Sequence, residues 1–471
     1  MLAFSIILYI AITLFLGYRA SFRVKNTLDY TLAGRSLPAV MVGITIFATW
    51  FGPEMIMGVP DLFVREGIQG IIIDQFGVWL CLILLGLFYT RPLYRLKIIT
   101  INDFFRLRYN AAIEKVSSII NVITYFSWIA AQFLALALLF NTLLGIPVSL
   151  GIVIGAAIVL IYTYIGGMWA VSVTDLIQSV MIIAGLMYLM VWILGKTGGI
   201  APIISRTPVG FFRFFPEPGF YNGIDYLGKW MVFGLGTIPA QELYQRVLAA
   251  KSEQAGVNGA YISGILLFIF GSIPLIIGLA ISQLHPEIIA QSDGQNMIPN
   301  MVFQYTGLPM QILFFGALVS AILSTSSGAL LAPATVIGEN LVKPYFPTLT
   351  DKQLLLITRL SVIFVAVVSC IMAFFNSNIH GLVVDSATLI LVCLFVPYTG
   401  GIYWKKSSVT GVWAAIIGGG LAWAICAYGL ETRIDPIIYG TLASLVCMVA
   451  VSLIFPDDSY AQYRKTTTAR L

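Results

Sequence analysis

Thirteen stretches of mainly apolar residues follow one another along the chain, at 2–18, 38–60, 69–93, 117–143, 147–164, 171–194, 224–245, 258–283, 309–339, 353–376, 380–402, 408–428 and 435–455. Most approach the roughly 20 residues that a helix needs to cross a bilayer. Lipid offers no partners to backbone N–H and C=O groups, so a chain of this pattern must satisfy them within its own helices. The expectation is an all-α membrane protein with thirteen transmembrane helices and no soluble domain. Composition agrees, because 59% of the 471 residues are hydrophobic and 10% charged, whereas soluble domains carry ~25% charged residues.

The basic residues set the orientation, since Lys and Arg are retained on the cytoplasmic side. With the N-terminus outside, nineteen fall in inward loops, among them Arg19, Arg91, Arg108, Arg246, Lys343, Lys405 and Arg470, against six facing out and Arg359 within a span. An odd number of spans then leaves the C-terminus in the cytoplasm. The net charge of +5 therefore reports topology rather than nucleic-acid binding. The first span lacks a basic n-region and a small-residue cleavage site, so it is expected to be a retained helix. The five cysteines all lie in spans without metal-type spacing and are expected to pack. His285 and His380 are expected in outward loops, too few for a metal site.

Two spans carry breaks. The second reads FATWFGPEMIMG at 47–58, with Phe51-Gly52-Pro53 in its middle, and the seventh has Gly234-Leu235-Gly236-Thr237-Ile238-Pro239. Such interruptions are tolerated in a membrane only where protein or a water-filled cavity surrounds them. The two breaks are five spans apart, and five is odd, so they enter the membrane from opposite sides. That is the geometry of an inverted repeat. The domain organisation expected is an N-terminal helix and cytoplasmic loop (1–36), a first repeat of spans 2–6 (37–195), an extracellular loop (196–223), a second repeat of spans 7–11 (224–403), and two C-terminal helices with a short tail (404–471).

A helix opened at mid-membrane leaves carbonyl oxygens free for a small hard cation, here around Ala48 to Phe51. Span 9 supplies hydroxyls: in ALVSAILSTSSG (317–328) Ser324 and Ser327 share a face and Thr325 adjoins them. Neutral hydroxyl and carbonyl oxygens suit sodium, whereas transition metals favour His and Cys. The same run also suits small-residue helix packing with hydroxyls bonded to their own backbone. Asp175, inside span 6, marks an ion or substrate path, or else a helix N-terminal carboxylate. Glu54, Asp74, Glu242 and Asp385 are further acidic residues in or near spans, with few basic residues to pair with them. A cationic ligand is the simplest counter-charge.

Three stretches then carry a resemblance to the sodium/solute symporter family, the group containing glucose, proline, pantothenate, sialic acid and choline transporters. They are DYTLAGRSLP (29–38), YTYIGGMWAVSVTDLIQSVMII (162–183), and Ala321-x-x-Ser324-Thr325 followed by GEN at 338–340. The resemblance implies a LeuT-type fold with a 5+5 inverted repeat, one extra N-terminal and two extra C-terminal helices, and Na+ as coupling ion. It implies a main sodium site from the Ala48, Phe51 and Ala321 carbonyls and the Ser324 and Thr325 hydroxyls. A second sodium site would use Asp175, Ser324 and Ser327, with Gly328 standing where a further hydroxyl is found in some members. Substrate would meet Trp50, Glu54, Trp128, Gly236, Ala240 and Gln241. ATWFG is most similar to the choline branch, which carries tryptophan at the position of Trp50 and, unlike Ala240, in the IPWQ-like motif that here reads IPAQ.

The function expected is sodium-coupled import of a small organic solute, choline-like or otherwise amine-containing, across the cytoplasmic membrane by alternating access. The alternatives are a symporter for another solute of the family (proline or another amino acid, pantothenate, a sugar or a monocarboxylate) and a membrane solute sensor acting through a separate partner. No nucleophile-elbow, metal-ligand or phosphate-loop motif supports an enzyme.

Overall fold

The computed structural model describes residues 1–291 and 294–468; Arg470, counted above among the inward residues, lies outside them. Among the described residues the secondary structure is helical, with one isolated backbone bridge between Leu37 and Ala250. Each of the thirteen apolar stretches is occupied by helix. Ten helices are long and apolar enough to cross a membrane, while Ala39–Trp50 and Val148–Ile161 are apolar but shorter, and Phe220–Gly236 has 17 residues. Ala39–Trp50 and Phe220–Gly236 are the expected spans 2 and 7, cut short because the backbone leaves helix at the end of each, and Val148–Ile161 belongs to the expected span 5.

The second span runs Ala39–Trp50, then Glu54–Met57 and Val59–Glu66. Pro53 has no N–H to give the preceding turn, and Phe51 leaves helical geometry at φ −86° and ψ 67°. The seventh stops at Gly236 and resumes as Gln241–Leu248. Spans 5 and 6 form one run, Val148–Thr197, bent at Gly167 with φ 52° and ψ −161°. A side chain there would be strained in that left-handed backbone, and its Cβ would fall 2.4 Å from the Tyr30 ring.

Burial orders the helices from the centre outward. In its most apolar window Ala111–Leu144 is 83% buried, whereas Leu2–Ser21 is 22% buried, so the fourth span runs through the middle and the first lies at the edge. The hydroxyl-rich Leu308–Val336 packs beside it, with every residue from Phe314 to Val336 buried. Arg359 rests over the rings of Tyr30 and Tyr164.

One element was not evident in the sequence. The basic stretch between spans 3 and 4, expected as a loop, contains the helix Ile101–Arg108, started by a Thr100–Asp103 capping box. It is driven inward by Phe104, Phe105 and a fully buried Arg108, whose guanidinium donates to the carbonyls of Gly401 and Ser407 and to Ser459 Oγ.

Candidate cation and solute site

The break in the second span meets the ninth. Ala48, Phe51, Ala321, Ser324 and Thr325 are all fully buried. Thr325 Oγ1 donates to the Ala48 carbonyl at 3.5 Å, a loose contact that leaves that oxygen able to accept more. Ser324 donates to Asp175 Oδ1 at 2.6 Å, and Ser327 donates to the Ser324 carbonyl at 3.0 Å. Asp175 Oδ2 and Thr49 Oγ1 are buried beside this group without a hydrogen-bond partner. Ser320 is turned elsewhere: it donates to the Gly316 carbonyl at 2.7 Å and pairs with the Tyr9 hydroxyl of the first span.

A cation already stands here. Arg246, placed by the sequence in an inward loop, is fully buried on Gln241–Leu248. Its Nε donates to the Thr45 carbonyl at 3.2 Å and its Nη1 to the Glu242 carbonyl at 2.9 Å, and its charge acts on Asp175 and Glu242. The guanidinium fills the room at Gly328, where a Cβ would lie 2.3 Å from Nη2. Asp175 Oδ2 and Arg246 Nη2 nonetheless each lack a hydrogen-bond partner, so the guanidinium acts on Asp175 only through space. The expectation that the intramembrane acids lack basic partners is corrected for Asp74, because His380 lies in the helix Ile379–Ile390 rather than in a loop, with Nε2 at 3.0 Å from the Asp74 carboxylate.

Between the two breaks and the fourth and eleventh spans lies a cavity walled by the rings of Trp50, Tyr125, Trp128 and Phe233 and by the carboxylates of Glu54 and Glu242. Trp50 Nε1 donates to Glu242 at 3.3 Å, and the Tyr125 hydroxyl donates to the other carboxylate oxygen while accepting the Glu242 N–H at 3.0 Å. That carboxylate fixes two rings at once. Ala240 is also on the wall.

Gly236 and Gln241 are not. Gly236 allows close packing, since its Cβ would come 2.8 Å from the Ala387 carbonyl. Gln241 points away from the cavity to the start of the helix Ile101–Arg108, where its Oε1 accepts the Ile101 N–H at 2.8 Å. Tyr125, Phe233 and Arg246 join the site without having stood out in the sequence. Helical spacing held the signals: Tyr125 is three residues before Trp128, and Arg246 is four after Glu242, so each pair shares a helix face.

Helices opened at mid-membrane around a walled cavity, with hydroxyl and carbonyl oxygens gathered beside it, define a membrane transporter. The chain belongs to the sodium:solute symporter family, whose model matches residues 30–419. Sodium and a small solute are thus its transported species, and the family and its relatives are transporters rather than enzymes. The chain is 28% identical to the osmoregulated proline transporter OpuE of Bacillus subtilis (strain 168), covering 98% of this chain and 96% of that one. It is 26% identical to the high-affinity choline transporter 1 of Caenorhabditis elegans, over 82% of this chain and 69% of that one. Its fold matches a solved substrate-bound outward-open state of a Na+-coupled sialic acid symporter, with a TM-score of 0.84 at 20% identity over 97% and 98% of the two chains. The sensor alternative finds no support among these relatives.

Proposed function

We propose that the protein imports a small amine-containing cation together with sodium across the cytoplasmic membrane, with the N-terminus outside and thirteen crossings. In this scheme spans 2–6 and 7–11 are the inverted repeats and rock against each other, while spans 1, 12 and 13 stand outside the pair. Sodium is held by the Ala48, Phe51 and Ala321 carbonyls and the Ser324 and Thr325 hydroxyls. The observation that carries this is the contact of Thr325 with the Ala48 carbonyl at the break, which brings span 9 hydroxyls to the opened backbone.

A second ion at Asp175, Ser324 and Ser327 is disfavoured, because the Arg246 charge acts on Asp175 and its guanidinium occupies the space at Gly328. Two cations a few ångströms apart in a buried site repel strongly. One sodium per cycle follows. The solute sits among Trp50, Tyr125 and Trp128, where a cation meets ring faces and the carboxylates of Glu54 and Glu242. Sodium closes the first break and so favours the conformer that binds solute, and each ligand raises the affinity for the other.

The test is a thermal-shift and proteoliposome-uptake screen of the purified protein with amines, amino acids, sugars and carboxylates, in sodium and in potassium. Cationic amines should stabilise the protein, and be taken up, in sodium alone. Uptake with no dependence on sodium would refute the coupling, and a preference for anionic solutes would refute the cavity assignment.

A further inference from the structure

Two polar atoms on the cavity wall have no partner. Glu54 Oε2 accepts no hydrogen bond and Trp128 Nε1 donates none, although both side chains line the cavity and are more than nine-tenths buried. The Gln132 amide lies beside Glu54, and its own oxygen and nitrogen are also unpartnered. The other hydroxyl donors on the wall are committed, and the Asp74 and Glu242 carboxylates are engaged. Thr124, Thr237 and Ser386 each donate to a carbonyl of their own helix, Asp74 is held by His380, and both oxygens of Glu242 accept from Trp50 and Tyr125. Polar groups left unpaired once water is excluded are costly, so the solute is selected by what it offers to the free ones.

We propose that the solute is a protonated amine that keeps at least one N–H and carries an uncharged oxygen, an amino-alcohol type of cation, rather than a quaternary ammonium ion or an amino acid. Its N–H donates to Glu54 Oε2, its oxygen accepts from Trp128 Nε1, and the rings of Trp50, Tyr125 and Phe233 cover the charge. A quaternary ammonium has no N–H and would leave the Glu54 oxygen buried and bare. An amino acid would bring a carboxylate to a wall whose described residues include three acids and no Lys, Arg or His. The proposal rests on the cavity being the solute site.

The experiment compares ethanolamine, N-methylethanolamine, N,N-dimethylethanolamine and choline, a series in which only N–H groups are replaced by methyls, with ethylamine and proline as further probes. Sodium-dependent thermal shifts and inhibition of uptake are read on the full-length protein. The first three should bind, with choline weaker by ~10-fold or more, as for sites that lose a hydrogen bond they were built to make. Glu54→Gln should flatten the step between dimethylethanolamine and choline, and Trp128→Phe should flatten the difference between ethanolamine and ethylamine. The sodium-induced shift of each variant reports that it is folded, and the wild-type series decides the matter if a variant does not fold. Choline or proline binding as well as or better than the N–H amines would overturn the proposal while sparing sodium-coupled uptake. A sodium response with no effect of any probe would overturn the placing of a cationic solute in this cavity.

Discussion

The two breaks are alike in sequence, each with glycine and proline in an apolar span, and opposite in what their following helices do. Gln241–Leu248 is buried along its whole length, and its five polar side chains each tie a different neighbour, Tyr244 accepting from Tyr398. Gln241 accepts from Ile101, Glu242 from Trp50 and Tyr125, while Gln245 donates to the Thr31 carbonyl and to Thr335, and Arg246 to the Thr45 carbonyl. Glu54–Met57 carries one polar side chain with an oxygen left over, after a helix end whose Ala48 carbonyl is only loosely engaged. Bonds to Thr31, Thr45, Ile101, Tyr125 and Thr335 turn the second break into a brace, although Gln241 Nε2, Gln245 Oε1 and Arg246 Nη2 stay unpartnered. The first break makes fewer such ties, and its Glu54 Oε2 is left to ligands.

The largest effect should come from removing the brace's charge. Arg246→Leu removes the buried charge and its bonds to the Thr45 and Glu242 carbonyls, which costs about 3 kcal/mol; the melting temperature in detergent should fall sharply, and an unchanged value would refute the bracing role. Gly328→Ser drives a Cβ into the same guanidinium and should cost about 1–3 kcal/mol by overpacking. If stability instead holds and a second sodium appears in equilibrium binding, Arg246 yields its place and the one-ion assignment fails. Ser324→Ala should weaken the sodium dependence of uptake on the order of ten-fold, the worth of one polar interaction with a charge. Ser320→Ala, whose hydroxyl is committed to Gly316 and Tyr9, should leave it almost unmoved, and equal effects would dissolve the distinction. Smallest is Gln241→Ala. It frees the Ile101 N–H and should lower stability by ~1 kcal/mol without changing solute affinity at saturating sodium, which a titration by thermal shift would check.

Hydropathy and turn chemistry located the helices and both interruptions because those signals are local: a run of apolar residues demands lipid or core wherever it lies, and proline withholds its N–H in any context. The hydroxyl run of span 9 was equally plain. Arg246 was not, since a basic residue a few positions past an apolar run reads as a loop cation. Only its partners at Thr45 and Glu242 and the empty Cβ position of Gly328 reveal it as buried. His380 was misplaced for the same reason, its partner Asp74 being 306 residues away. The helix Ile101–Arg108 hid in a basic segment whose Arg108 is hydrogen-bonded by carbonyls from the far end of the chain.

The sequence by itself determined that the protein is a bundle of membrane helices opened at 51–53 and within 234–239, because backbone hydrogen bonding in lipid permits little else. Tertiary structure alone decided that Gln241 braces the helix Ile101–Arg108 while Ala240 faces the cavity, and that Arg246 is buried against the Thr45 carbonyl. Those outcomes depend on which distant side chain arrives within about 3 Å, and no local pattern encodes that.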